Sequence, residues 1–241
     1  MITVIPFSEL GTFENTWLDA HYHFSFAGYH DPTRMGMGPL RVWNDDTIRP
    51  HSGFDTHSHR DMEIVTYVRH GAITHRDSLG NRGLTRAGDV QVMSAGTGVE
   101  HSEINEDDEA ATLFQIWIMT DRRGHGPHWE TRQFPKEPVS GWLPVLASGR
   151  GDKGALPIHQ DAAVLGGRLA AGFEVSLVLG SGHGAYLVPT SGTVEINGVR
   201  AEARAGVQVT DEHSSIIRAI EDVEEVLVEV TLHARSLGAA H

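Results

Sequence analysis

Arg86 to Gly96 reads RAGDVQVMSAG, and the second half of the chain returns to it at Arg204 to His213 as RAGVQVTDEH. Each copy sets a glycine before an alternating run of β-branched residues, the pattern of a turn leading into a half-buried strand. A second echo flanks the first. GAITHRDSLG from Gly71 has a shorter counterpart in GTVEINGVR from Gly192, where Asn197 and Gly198 are the residues of a tight hairpin turn. Two copies of one β unit in tandem follow from this self-similarity. Short runs such as EIVTYV, TLFQIWIM, AYLVP and EEVLVEV, punctuated by 27 Gly and 10 Pro, read as strands of a sandwich or barrel. Helical periodicity is scarce, and a short helix is expected around Glu14 to Ala20. Alternation lapses and prolines gather in GPHWETRQFPKEPVSGWLP, Gly126 to Pro144, so the division is expected to fall there, with one barrel over residues 1–135 and a second over 136–241.

The 241 residues suffice for either one large all-β unit or two small domains with buried cores. A formal net charge of −13 repels phosphate backbones and anionic headgroups, which argues against direct nucleic-acid or membrane partners. No signal-like start and no apolar run long enough to span a bilayer are apparent, so the expectation is a soluble, cytoplasmic monomer. With no cysteine, disulfides, thiolate nucleophiles and sulfur-ligated metals are excluded. Any metal must be held by nitrogen and oxygen, and the chain has 16 histidines.

Spacing singles out a few of them. In FDTHSHRDME, Phe54 to Glu63, His57 and His59 are two apart, and in GVEHSEIN the same spacing joins His101 to Glu103. Residues two apart on a strand point to one face. Two such pairs aimed at a common interior point supply three imidazoles and a carboxylate, a mononuclear site that leaves positions for exogenous ligands. Glu63 has the parity of His57 and His59 and is either a further ligand or an acceptor for an imidazole N–H. Gln115 and Trp117 alternate on the strand after the second pair; Gln115 is expected to line the pocket and support the ligands, and Trp117 either lines it or packs in the core. Arg60 adjoins the ligands, and its leading reading is a surface salt bridge. His125 and His128 sit among Gly and Pro and are read as loop residues.

These residues carry a resemblance. Gly53 with FDTHSHRDME resembles the first cupin motif, and GDVQVMSAGTGVEHSE, Gly88 to Glu103, resembles the second in the form peculiar to pirins. Over the whole chain the similarity is to a bicupin, which implies two tandem cupin barrels of jelly-roll type with few short helices. It also implies His57, His59, His101 and Glu103 as ligands, with Glu63 in a supporting role. Counting back from Gly192 places Gly180 and Val178 where the ligands would be in the second half, so the C-terminal barrel is expected to be metal-free.

The resemblance to short bacterial pirins implies a dioxygenase that cleaves a flavonol such as quercetin with O2 and releases carbon monoxide. Its expected partners are a small aromatic substrate and O2, its cofactor one divalent metal ion per chain, Fe(II) first, with Mn, Co, Ni, Cu or Zn as alternatives. Glu103 is the expected proton acceptor. The opposing expectation, also from the family, is a redox-responsive regulator that binds protein partners without turnover.

Overall fold

The alternating runs fold as antiparallel strands, and the computed structural model describes residues 1–232. Among the described residues the one helical element is a single 3-10 turn, Phe7–Glu9. None is long and apolar enough to cross a membrane. The chain divides into two compact units.

The first unit comprises Gly11–Phe134 and Leu156–Gln160. Its larger sheet has seven strands in the order His128–Gln133, Asp89–Ser94, Met62–His70, Ala111–Met119, Leu40–Ile48, Leu18–Tyr22, Gly11–Glu14. The central members are buried on both faces, and Trp43 packs edge-on against Phe114 across two of them. A smaller sheet runs Ser52–His59, Val99–Asn105, Ala72–Asp77, Arg82–Arg86. Between the sheets lie Leu18, Tyr22, Ile48, Val68, Ile73 and Leu113 in one cluster and Ile64, Met93 and Val99 in another.

The second unit comprises, among the described residues, Met1–Leu10, Pro135–Ala155 and residues 161–232. In its larger sheet Ile2–Ile5, Gly206–Val209, His183–Ser191, Val223–Thr231, Ala162–Leu169 and Val145–Ser148 are successive neighbours. Its smaller sheet runs Glu174–Val178, Ser214–Ala219, Val194–Ile196, Val199–Ala201. The core between them is aliphatic, with Leu169, Leu177, Leu187, Ile196, Ile217 and Leu227. Asn197 and Gly198 both have positive φ, the backbone of the expected hairpin turn.

Two expectations need correction. Glu14 to Ala20 is no helix. Asn15 Oδ1 accepts the backbone N–H groups of Trp17 and Leu18 and closes a turn between Gly11–Glu14 and Leu18–Tyr22, which then pair as a hairpin. The division at residue 135 is also less simple than a cut. Ile2–Ile5 pairs with Gly206–Val209 and so belongs with the second unit, while Leu156–Gln160 groups with the first.

Candidate metal centre

The smaller sheet of the first unit carries the site. His101 lies directly opposite His57 in register, and Val99 opposite His59. The register then slips by one residue between His101 and Glu103, a bulge that re-aims side chains at the site. A glycine is required at 53, because a Cβ there would collide with the carbonyl oxygen of Glu103.

His57, His59 and His101 converge, with ligand nitrogens all within 4.8 Å of one another. Nε2 of His57 and Nε2 of His101 are 3.1 Å apart. Nitrogens about 2.1 Å from a common ion lie about 3.0–3.4 Å from each other, so this separation is that of adjacent ligands. Nδ1 of His57 donates to the Asp55 carbonyl at 2.7 Å, which leaves its Nε2 lone pair for the site. Nε2 of His59 is buried and has no hydrogen-bond partner, an orphaned atom of the kind a cation satisfies. Burial, then the neighbouring His57, lowers the pKa of His59 to about 4. Burial, then His57, His59 and His75, lowers that of His101 to about 2. Both rings are therefore neutral at physiological pH, the form that binds metals. Three converging imidazole nitrogens are donors for a divalent transition metal, and these residues fit one.

Glu103 is 1% exposed and forms a second group with His75 and His101, again with ligand atoms within 4.8 Å. Thr66 donates to Glu103 Oε1 at 3.2 Å, Gln91 donates to the same oxygen, and Gln115 donates to Oε2. Burial raises its pKa to about 7 against the opposing pull of Thr66, Gln115 and Gln91. Gln115 in turn accepts from the Trp117 indole N–H at 3.0 Å. Gln115 thus bonds both the carboxylate and the indole.

Glu63 is placed otherwise. It accepts from Ser94 Oγ at 2.5 Å and lies 3.2 Å from Nδ1 of His159, on the opposite face of its strand from Thr66. Asp61, at φ 49°, bends the chain between the two strands, so the parity of His57 and His59 does not carry through to Glu63. His125 stacks on His159 and bonds Asp121 at 2.6 Å, and His128 is an exposed strand residue; neither joins the trio. Arg60 is exposed beside His59 in a cleft with Ser78 and Glu100.

Reading by spacing passed over His75. It is fully buried, stacked on Trp129, and its Nδ1 faces Nδ1 of His101 at 3.5 Å while Nε2 meets Asp77 at 3.1 Å. An Asp77 acceptor fixes the His75 proton on Nε2, leaving Nδ1 to accept from His101 and keeping the His101 Nε2 lone pair toward His57. The signal was present: His75 and Asp77 share the two-residue spacing of the other pairs. A cleft of about 430 Å³ opens beside the trio, walled by Trp17, Phe26, Phe54 and Trp117.

In the second unit the smaller sheet has the same strand order, and register identifies the equivalent positions. Ser215 faces Leu177 as His101 faces His57, and Ile217 faces Ile196 as Glu103 faces His75. Leu179 N–H bonds the carbonyl of His213 where His59 is opposite Val99. Leu177 and Leu179, not Val178 and Gly180, therefore stand at the places of the two histidines. The hairpin from Leu177 to Gly192 is one residue longer than that from His57 to Gly71, which displaced the count.

Comparison with known proteins agrees with this architecture. A family model described as Pirin matches residues 6–118, and one described as the quercetinase C-terminal cupin domain matches residues 145–230. A pirin-like protein of Caulobacter vibrioides is 53% identical over 230 residues, 95% of this chain and 99% of that protein. A quercetin 2,3-dioxygenase of Escherichia coli K12 is 40% identical over 231 residues, 95% of this chain and 99% of that one. The crystal structure of the bacterial pirin YhhW from E. coli in complex with nickel(II) superposes with a TM-score of 0.90 at 38% identity, covering 96% of this chain and 99% of that one.

Proposed function

The chain belongs to the pirin family, and from that premise we propose that it is a metal-dependent dioxygenase that opens a flavonol such as quercetin with O2 and releases carbon monoxide. The observation that supports this reading most is the convergence of three imidazoles near a buried carboxyl of pKa about 7, beside an aromatic-walled cleft. His57, His59, His101 and Glu103 are assigned as the ligands. Iron(II) is our first assignment for the ion; the E. coli pirin structure holds nickel(II), and Mn, Co, Cu and Zn are the alternatives. When bound, such an ion supplies a Lewis acid that stabilises negative charge on the flavonol 3-oxygen and leaves positions for exogenous ligands.

The protein residues do the rest. The rings of Trp17, Phe26, Phe54 and Trp117 take the flat substrate and exclude water. Glu103 accepts the 3-hydroxyl proton, and Thr66, Gln91 and Gln115 hold its oxygens in place for that transfer. Both atoms of O2 enter the depside product, the ring carbon bearing the 3-oxygen leaves as carbon monoxide, and Glu103 returns its proton to the product. Because the acceptor is the carboxylate form, turnover rises as pH climbs through the pKa of Glu103, which burial raises and a bound cation would lower.

The test is carbon monoxide release alongside loss of quercetin absorbance in air, with protein loaded separately with each metal. Stoichiometric release, lowered about 10²–10⁴-fold in Glu103→Gln, supports the assignment. Protein that holds one ion per chain and releases no carbon monoxide with any metal contradicts it, and favours the metal-dependent binding of protein partners instead.

A further inference from the structure

Strand Leu40–Ile48 carries Asn44, Asp45 and Asp46 in succession, and all three are buried, at 5%, 0% and 1% exposure. Asp45 is accounted for by its ion pair with Arg69. Asn44 and Asp46, two apart, share the opposite face and line the same cleft as His57 and His59. Neither the Oδ1 of Asn44 nor the Oδ1 of Asp46 has a hydrogen-bond partner. Asn44 sits directly across from Gln115, the residue that bonds Glu103, so the pair adjoins the reacting end of the cleft.

Buried polar groups without partners lower stability, and a chain that keeps two of them on one cavity wall points to a ligand that completes them. Four aromatic rings share the wall with them, Trp17 edge-on to Phe54 at 5.1 Å and Phe26 edge-on to Trp117 at 5.4 Å, while the other polar lining groups are Asp55, Thr56, Gln115 and the two histidines of the site. A flat ring suits those faces, and a hydroxyl, which both donates and accepts, suits an amide beside a carboxyl. Burial, then the charges of Asp45 and Glu103, pushes the Asp46 carboxyl well above its usual range.

We propose that Asn44 and Asp46 form a polar subsite that holds a hydroxyl-bearing edge of a planar polyphenol, and so select ring-hydroxylated flavonols over bare ones. This rests on the flavonol reading of the metal centre, which the test keeps separate. Quercetin and 3-hydroxyflavone share the metal-facing edge and differ in their ring hydroxyls. Their affinities for nickel(II)-loaded protein are measured under nitrogen by quenching of tryptophan emission. Wild type prefers quercetin by about tenfold or more. Asn44→Leu and Asp46→Leu each lower that ratio, leave 3-hydroxyflavone affinity within about twofold, and melt about 2–4 °C higher because an orphaned polar group is gone. Asp46→Asn, which keeps the polarity and shape, retains most of the preference.

Equal affinity of wild type for the two ligands overturns the subsite whether or not the variants fold. A preference unchanged in both leucine variants overturns it too, with the metal-centre reading intact. Binding of neither flavonol to the loaded wild type overturns both.

Discussion

The two smaller sheets share strand order, and their registers match up to the bulge after His101, yet at the equivalent positions one carries ionisable groups and the other aliphatic groups and a serine. At the places of His57, His59, His75, His101 and Glu103 the second sheet has Leu177, Leu179, Ile196, Ser215 and Ile217. The scaffold therefore does not itself make a site. What distinguishes the first sheet is the surrounding polar support. Glu103 receives three side-chain donors, His75 has Asp77, and His57 has a backbone carbonyl. The second unit offers a contrast in Glu225, fully buried with both carboxylate oxygens unpartnered and its pKa raised to about 8 by burial. A carboxyl without donors is a cost, whereas one with three is a tool.

The comparison can be broken most severely at the ligands. His59→Ala is expected to lower metal affinity by about 10³-fold or more, since each ligand carries a large share of the binding energy; isothermal titration with nickel(II) measures it. Next in size is the reverse operation. Ile217→Glu puts a carboxyl at the place of Glu103 without its donors and is expected to cost about 3–5 kcal/mol in urea denaturation. Removing the orphan is the converse: Glu225→Leu should gain about 2–3 kcal/mol near pH 8.

The sign of the Glu225 effect is fixed by linkage. A carboxyl whose folded pKa of about 8 exceeds its ordinary value of 4.5 binds more protons folded than unfolded, so its contribution is whole below about 4.5 and is lost as pH rises through about 8. The Tm of the wild type should fall over that window more steeply than that of Glu225→Leu. Smaller again is Asp77→Asn, which loosens the His75 proton and should weaken metal binding about 10–100-fold. The mildest is Thr66→Val. One donor fewer on Glu103 raises its pKa further, shifting the rising limb of turnover up by about one pH unit or less.

The pairs His57 with His59 and His101 with Glu103 were legible because strand periodicity is local and each pair lies within one strand. His75 with Asp77 had the same spacing and was masked by the absence of a third ligand-type neighbour in sequence. Its meaning comes from Glu103 lying opposite it on another strand. Glu63 misled because parity holds only along an unbroken strand, and Asp61 breaks it. Glu14 to Ala20 lacked any signal stronger than the Asn15 turn that forms there. The pairing of Ile2–Ile5 with Gly206–Val209 joins opposite ends of the chain, and no local pattern encodes such a partner. Asn44 and Asp46 read as ordinary polar strand residues until the cleft places them on its wall.

The metal-to-chain ratio after exhaustive dialysis tests the contrast between the two sheets most directly. It is read in wild type, in the double variant His57→Ala/His59→Ala, and in His183→Ala/His213→Ala of the second unit. The account predicts one ion per chain in wild type, none in the first variant and one in the second. Two ions in wild type, or an ion retained after both first-unit histidines are gone, would contradict it.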